Sequence, residues 1–107
     1  MDVIERIQQQ LTTHPVLLFM KGTPDFPQCG FSGRAVQILQ ACNTEFAAFN
    51  IFEDEELREA LKSYSNWPTY PQLYINGELV GGCDIMIDLF QRGELQKMLA
   101  ETADQSA

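Results

Sequence analysis

Apolar residues recur along this chain with two different periods, and the switches between them mark its elements. Ile4, Ile7 and Leu11 fall on one face of a helix. Asp2 stands ahead of them as a candidate cap, with Glu5 three residues on, as in a capping box. His14-Pro15 stops that helix. Val16-Leu17-Leu18-Phe19-Met20 then has the unbroken apolar character of a strand buried on both faces. Gly22, Pro24 and Pro27 make Lys21 to Gln28 a loop. Helical spacing returns between Cys29 and Ser32, with Ala35, Ile38, Leu39 and Cys42 as the core stripe. Phe46 to Ile51 reads as a second strand. Asp54 to Tyr64 reads as an acidic helix with Leu57, Leu61 and Tyr64 inward. Trp67-Pro68-Thr69-Tyr70-Pro71 cannot be helical, because each proline removes a donor and restricts its predecessor.

The strongest local signal follows. Gln72 to Ile75, the dipeptide Asn76-Gly77, and Glu78 to Val80 form a hairpin with a type I′ turn. Gly81-Gly82 leads into a helix from about Asp84 to Gln91. Gly93 ends it, and a last amphipathic helix carries Leu95, Met98 and Leu99. The first strand–helix–strand unit predicts a right-handed parallel crossover. The hairpin extends the same sheet in antiparallel sense, giving a four-stranded mixed α/β sheet with helices on both faces. No repeat, linker or low-complexity stretch interrupts the chain, and residues from about Thr102 are expected to fray.

The 107 residues suit one domain with its own core, spanning 1–107. Seven basic and fifteen acidic residues leave a net charge of −8. That excludes nucleic acid and anionic membranes as main partners, since nonspecific binding to either relies on cationic charge. No apolar run approaches the roughly 20 residues of a membrane-spanning helix. The three cysteines, an odd and sparse set, are unlike a disulfide-built secreted scaffold. The N-terminus shows neither a secretion signal nor a transit-peptide bias. A reducing, cytoplasmic setting is expected, although a trimmed organelle-matrix chain would look the same.

Cys29 is where chemistry concentrates. It follows a buried strand and opens a helix, where unpaired backbone N–H groups and the helix dipole favour thiolate over thiol. Lys21, in the preceding loop, offers a full positive charge. Gly30 permits close approach of a ligand, and the Ser32 hydroxyl can donate to the sulfur. The plainer alternative is a buried, inert cysteine. Position 32, where a dithiol oxidoreductase carries its resolving cysteine, is serine, so Cys29-Gly30-Phe31-Ser32 cannot close an internal disulfide.

Cys-Gly-Phe-Ser after Phe19-Met20-Lys21-Gly22-Thr23-Pro24, then Trp67-Pro68-Thr69-Tyr70-Pro71-Gln72, then Gly81-Gly82-Cys83-Asp84, resembles the monothiol glutaredoxins of the CGFS type. The likeness runs from about Val16 to Leu99. It implies a thioredoxin fold and glutathione bound along a groove. Glutathione carries two carboxylates and one ammonium, so a protein of net charge −8 must hold it by a local cationic patch. Lys21 and Arg58 match the family positions that pair with the glycyl carboxylate, and an Arg fork can hold a carboxylate bidentately. Read by itself, Arg58 is as readily a helix charge paired with Asp54 or Glu55. The resemblance implies a cis bond between Tyr70 and Pro71, exposing backbone groups to an extended peptide; the alternative is a plain turn. Gly81-Gly82-Cys83-Asp84 opens a helix suited to the γ-glutamyl carboxylate. Asp84 either takes the ammonium or merely caps that helix. Trp67 is core or groove wall.

Of the remaining cysteines, Cys42 reads as a packed core thiol. Cys83, near the groove, could resolve a glutathionylated Cys29 or form a disulfide with it. His14 reads as a surface loop residue outside any metal-ligand spacing. A 2Fe–2S cluster usually takes four thiolates. One such chain supplies one exposed activated thiol. With the resemblance, this implies a homodimer bridged by a cluster, with Cys29 of each chain and two glutathiones as ligands. The family also implies BolA-like partners and apo iron–sulfur proteins as recipients. The competing expectation is a glutathione-dependent thiol–disulfide oxidoreductase removing glutathione from protein mixed disulfides. A redox sensor using Cys29 and Cys83 is a third.

Overall fold

The fold was obtained as a computed structural model describing residues 2–106, with side chains through Thr102. Helix α1 spans Val3–Thr13, and the Asp2 side chain accepts from the Glu5 N–H. Strand β1 is Val16–Met20, buried throughout. Helix α2 is Gly30–Ala41 and strand β2 is Ala47–Asn50. A single 3-10 turn at Ile51–Glu53 leads into α3, Glu55–Ser65. Strands β3, Gln72–Ile75, and β4, Glu78–Gly81, form the hairpin, with Asn76 and Gly77 at φ +52° and +81° as a type I′ turn requires. Helices α4, Cys83–Gln91, and α5, Glu94–Ser106, complete the chain.

The sheet order is β2-β1-β3-β4. β1 and β2 are parallel, while β3 is antiparallel to both β1 and β4. Successive side chains of β1 alternate between two cores. Val16, Leu18 and Met20 pack with α2, α4 and α5. Leu17 and Phe19 pack with Ile7 and Leu11 of α1 and Leu57 and Leu61 of α3. Phe19 meets Tyr74 edge to face at 5.7 Å. This is the four-stranded mixed sheet, covered on both faces, that the hydrophobic pattern predicts.

Several local expectations are corrected. Tyr64 does not face inward; it is 37% exposed on the last turn of α3. Ile4 is likewise exposed, so only Ile7 and Leu11 of the α1 stripe reach the core. Cys42 is half-buried at the C-terminal cap of α2, packed against the rim of the core. Ile51 leaves β2 for the 3-10 turn, because the Asn50 side chain caps that turn by accepting from the Phe52 N–H. Thr102 itself is buried, and its hydroxyl donates to the Leu99 carbonyl at 2.7 Å, within α5. Ala107 lies outside the described residues. Among the described residues, no helix is long and apolar enough to cross a membrane.

Candidate functional site

The site lies where β1 ends and α2 begins. Met20 closes the strand, and the chain turns through Lys21 to Gln28 before Cys29 becomes the N-cap residue of α2. Three backbone ties hold this loop. The Gln28 N–H donates to the Lys21 carbonyl at 2.9 Å, the Gly22 N–H to Asn50 Oδ1 at 2.9 Å, and the Lys21 N–H to Ser32 Oγ at 3.0 Å. Gly22 sits at φ +93°, and a Cβ there would fall 2.5 Å from the Phe26 carbonyl oxygen and 2.6 Å from the Gln28 nitrogen. Both obstacles are backbone, so only glycine fits.

The Cys29 thiol is half-buried, and its pKa is shifted below that of an ordinary thiol, which makes it the stronger acid. The backbone N–H of Ser32 acts most strongly. The Phe31 N–H, the Lys21 charge and the Ser32 hydroxyl add to it, against the opposing effect of partial burial. This is the helix-start environment expected of a reactive cysteine. The other thiols are shifted the opposite way. Burial pushes Cys83 up, reinforced by the adjacent Asp84, and burial alone pushes Cys42 up. At neutral pH the molecule therefore carries one activated sulfur and two protonated ones.

Beside Cys29 runs a groove of about 510 Å³. Of the residues proposed from sequence, Lys21, Cys29, Tyr70, Pro71, Cys83 and Asp84 all line it. The Tyr70–Pro71 bond is cis. Tyr70 itself is buried, with its hydroxyl donating to the Arg58 carbonyl at 2.7 Å and its pKa pushed up to about 12, chiefly by burial. The cap of α4 is Gly82, and no side chain makes a capping bond there. Asp84 therefore does not cap the helix; it is exposed in the first turn, at the groove.

Arg58 is the exception, since it does not line the groove. Its guanidinium carbon lies 5.5 Å above the centroid of the Phe52 ring, and its Nε is buried without an acceptor. Among the described residues neither Asp54 nor Glu55 pairs with it, and Asp54 is taken by Arg6 at 2.7 Å. Trp67, undecided from sequence, is a groove wall, and Thr69, Phe31 and Ile85 join it. Proline-rich context made Thr69 part of a recognisable block, but nothing in local spacing marks Phe31 or Ile85, both exposed, as groove residues. His14 caps α1 and packs its ring on Phe49 at 5.8 Å, away from the groove.

An activated thiol at a helix start, facing a cis-proline segment across a groove on a four-stranded mixed sheet, defines a thiol protein of the thioredoxin-fold class. A glutaredoxin family model matches residues 16–80. Glutaredoxin 4 of Escherichia coli (strain K12) is 55% identical over 100 residues, covering 94% of this chain and 87% of that protein. The solution structure of a reduced apo poplar glutaredoxin is 52% identical, with a TM-score of 0.81, covering 92% of this chain and 91% of that one. The crystal structure of the holo form of poplar glutaredoxin C1 is 26% identical, with a TM-score of 0.85 over 94% of this chain and 89% of that one. The chain belongs to the glutaredoxin family.

Proposed function

We propose that this is a monothiol glutaredoxin of the CGFS type that binds glutathione beside Cys29 and carries a labile 2Fe–2S cluster as cargo, shared between two copies. The observation that carries the reading is a single acidified, accessible thiol at a groove of ligand size, with no second activated thiol to complete a redox pair. Among the described residues, no group of three or more His, Cys, Asp or Glu can hold a metal. On this reading the four thiolates come from two copies and two glutathiones: Cys29 of each chain and the thiolate of each tripeptide.

The groove suits that tripeptide. Lys21 supplies positive charge beside Cys29. The free N–H groups of the first turn of α4 face an anion such as the γ-glutamyl carboxylate. Asp84, released from capping, takes the ammonium. The backbone edge of Tyr70-Pro71 pairs with the peptide, and Cys83 packs as a neutral thiol. Arg58 reaches the glycyl carboxylate by rotating its guanidinium off the Phe52 ring, which would also satisfy its Nε. A site made of few protein–protein contacts releases its cargo easily, which suits delivery to apo iron–sulfur proteins in a reducing compartment such as the cytoplasm, with BolA-like proteins as alternative partners to the second copy.

The acidity of Cys29 also supports a second reading. Its thiolate attacks the glutathione sulfur of a protein mixed disulfide, releasing the protein thiolate, and a second glutathione then regenerates Cys29. Anaerobic reconstitution with iron, sulfide and glutathione separates the two. The cluster reading predicts visible absorption from the wild type, none from Cys29→Ser, and retained absorption in Cys42→Ser. A colourless wild type that turns over a glutathione mixed disulfide briskly would establish the enzyme reading instead.

A further inference from the structure

We propose that Arg6, a residue of α1 that does not line the groove, is a positioning residue that keeps Arg58 free to take the carboxylate of an anionic thiol ligand. This rests on the reading of Arg58 as a carboxylate-binding group.

Helix α3 and its cap place four carboxylates, Asp54, Glu55, Glu56 and Glu59, within four residues of Arg58. On such a helix an arginine ordinarily pairs with the acid three or four positions back. Arg58 pairs with none among the described residues. For Asp54, Glu56 and Glu59 the reason is visible in their own ion pairs, whereas Glu55 makes no ion pair among the described residues. Arg6 of α1 donates from Nη1 to Asp54 Oδ2 at 2.7 Å and from Nη2 to Glu56 Oε1 at 3.1 Å. Asp54 Oδ1 is held in turn by the Leu57 N–H at 3.1 Å, as the cap of α3. Glu59 is drawn the other way, with Lys62 Nζ at 3.5 Å. Both oxygens of Asp54, the i−4 partner of Arg58, are thus committed elsewhere. The guanidinium of Arg58 is left on an aromatic face, with a buried Nε and no acceptor. A cation held in that state is available to an incoming carboxylate. One already bound to Asp54 would have to exchange partners first.

The contribution is testable without any cluster. The Cys29 thiolate attacks one sulfur of glutathione disulfide; the Cys29–glutathione disulfide forms and one glutathione leaves as thiolate. Hydroxyethyl disulfide reacts at the same sulfur but carries no carboxylate. The ratio of the two second-order rate constants isolates carboxylate recognition. Arg6→Gln is expected to lower that ratio by up to about twofold, the scale of a competing helix pair. Adding Asp54→Asn, which retains capping ability but lacks charge, is expected to restore it, a rescue that a merely structural role for Arg6 would not give. If Arg6→Gln leaves the ratio unchanged while Arg58→Gln lowers it, the role of Arg6 is wrong and the site stands. If Arg58→Gln also leaves it unchanged, the assignment of Arg58 falls, and this proposal with it. A lowered ratio that Asp54→Asn fails to restore overturns the proposal as well.

Discussion

The difference between Cys29 and the molecule's other two cysteines is one of a few backbone N–H groups. Cys29 has the Ser32 and Phe31 amides and the Lys21 charge at hand, and its acidity is raised. Cys83 sits in the same groove, also at a helix start, yet burial and the neighbouring Asp84 keep it protonated. Cys29 ionises below the ordinary thiol midpoint of about 8.5, so its nucleophilicity persists as pH falls from that value and is lost only below its own lower midpoint. Cys83 and Cys42 become reactive only on the alkaline side. Iodoacetamide at pH 7 is therefore expected to give a single adduct, on Cys29, in native protein. The adduct mass and a pH series of its rate check this; equal labelling of Cys83 would contradict it. The sequence placed Cys29 correctly because a thiol's position ahead of a helix is a local property. It left Cys83 open because burial is decided by distant segments.

At the scale of elements, the site depends on the junction of β1 and α2. Ser32 is fully buried, and its oxygen accepts the Lys21 N–H. The serine that replaces a resolving cysteine is thus also the anchor that fixes Lys21 beside the sulfur. Ser32→Ala removes the side-chain acceptor of that N–H and is expected to cost ~1–3 kcal/mol in urea unfolding. Together with the lost hydroxyl, it should shift the Cys29 midpoint upward. An unchanged unfolding midpoint would show that the tie is dispensable. Elements themselves were legible: the Asn76-Gly77 turn, the unbroken apolar run of β1 and the Asp2 cap all carry local signals. Links between elements were not. The Arg6–Asp54 pair joins residues 48 apart, and no periodicity announces it. The same gap explains why Arg58 could be read from sequence as the partner of Asp54, and why Tyr64, correctly spaced with Leu61, nevertheless lies outside the core at the end of α3.

The whole molecule presents one activated sulfur on a body of net charge −8. It has a groove to hold a small anionic thiol and, among the described residues, no metal-binding cluster of its own. On the proposed reading, a cluster is carried with a second copy and two borrowed thiols. The sequence showed that Cys29 lacks a resolving cysteine at position 32, and the resemblance implied the two-copy, two-glutathione ligand set that is proposed above. Native mass spectrometry of the anaerobically reconstituted protein weighs that assembly directly. The expected species is two chains, one 2Fe–2S unit and two glutathiones, collapsing to single chains when Cys29→Ser is used or glutathione is withheld. A coloured single chain, or a coloured dimer whose mass leaves no room for glutathione, would contradict the account.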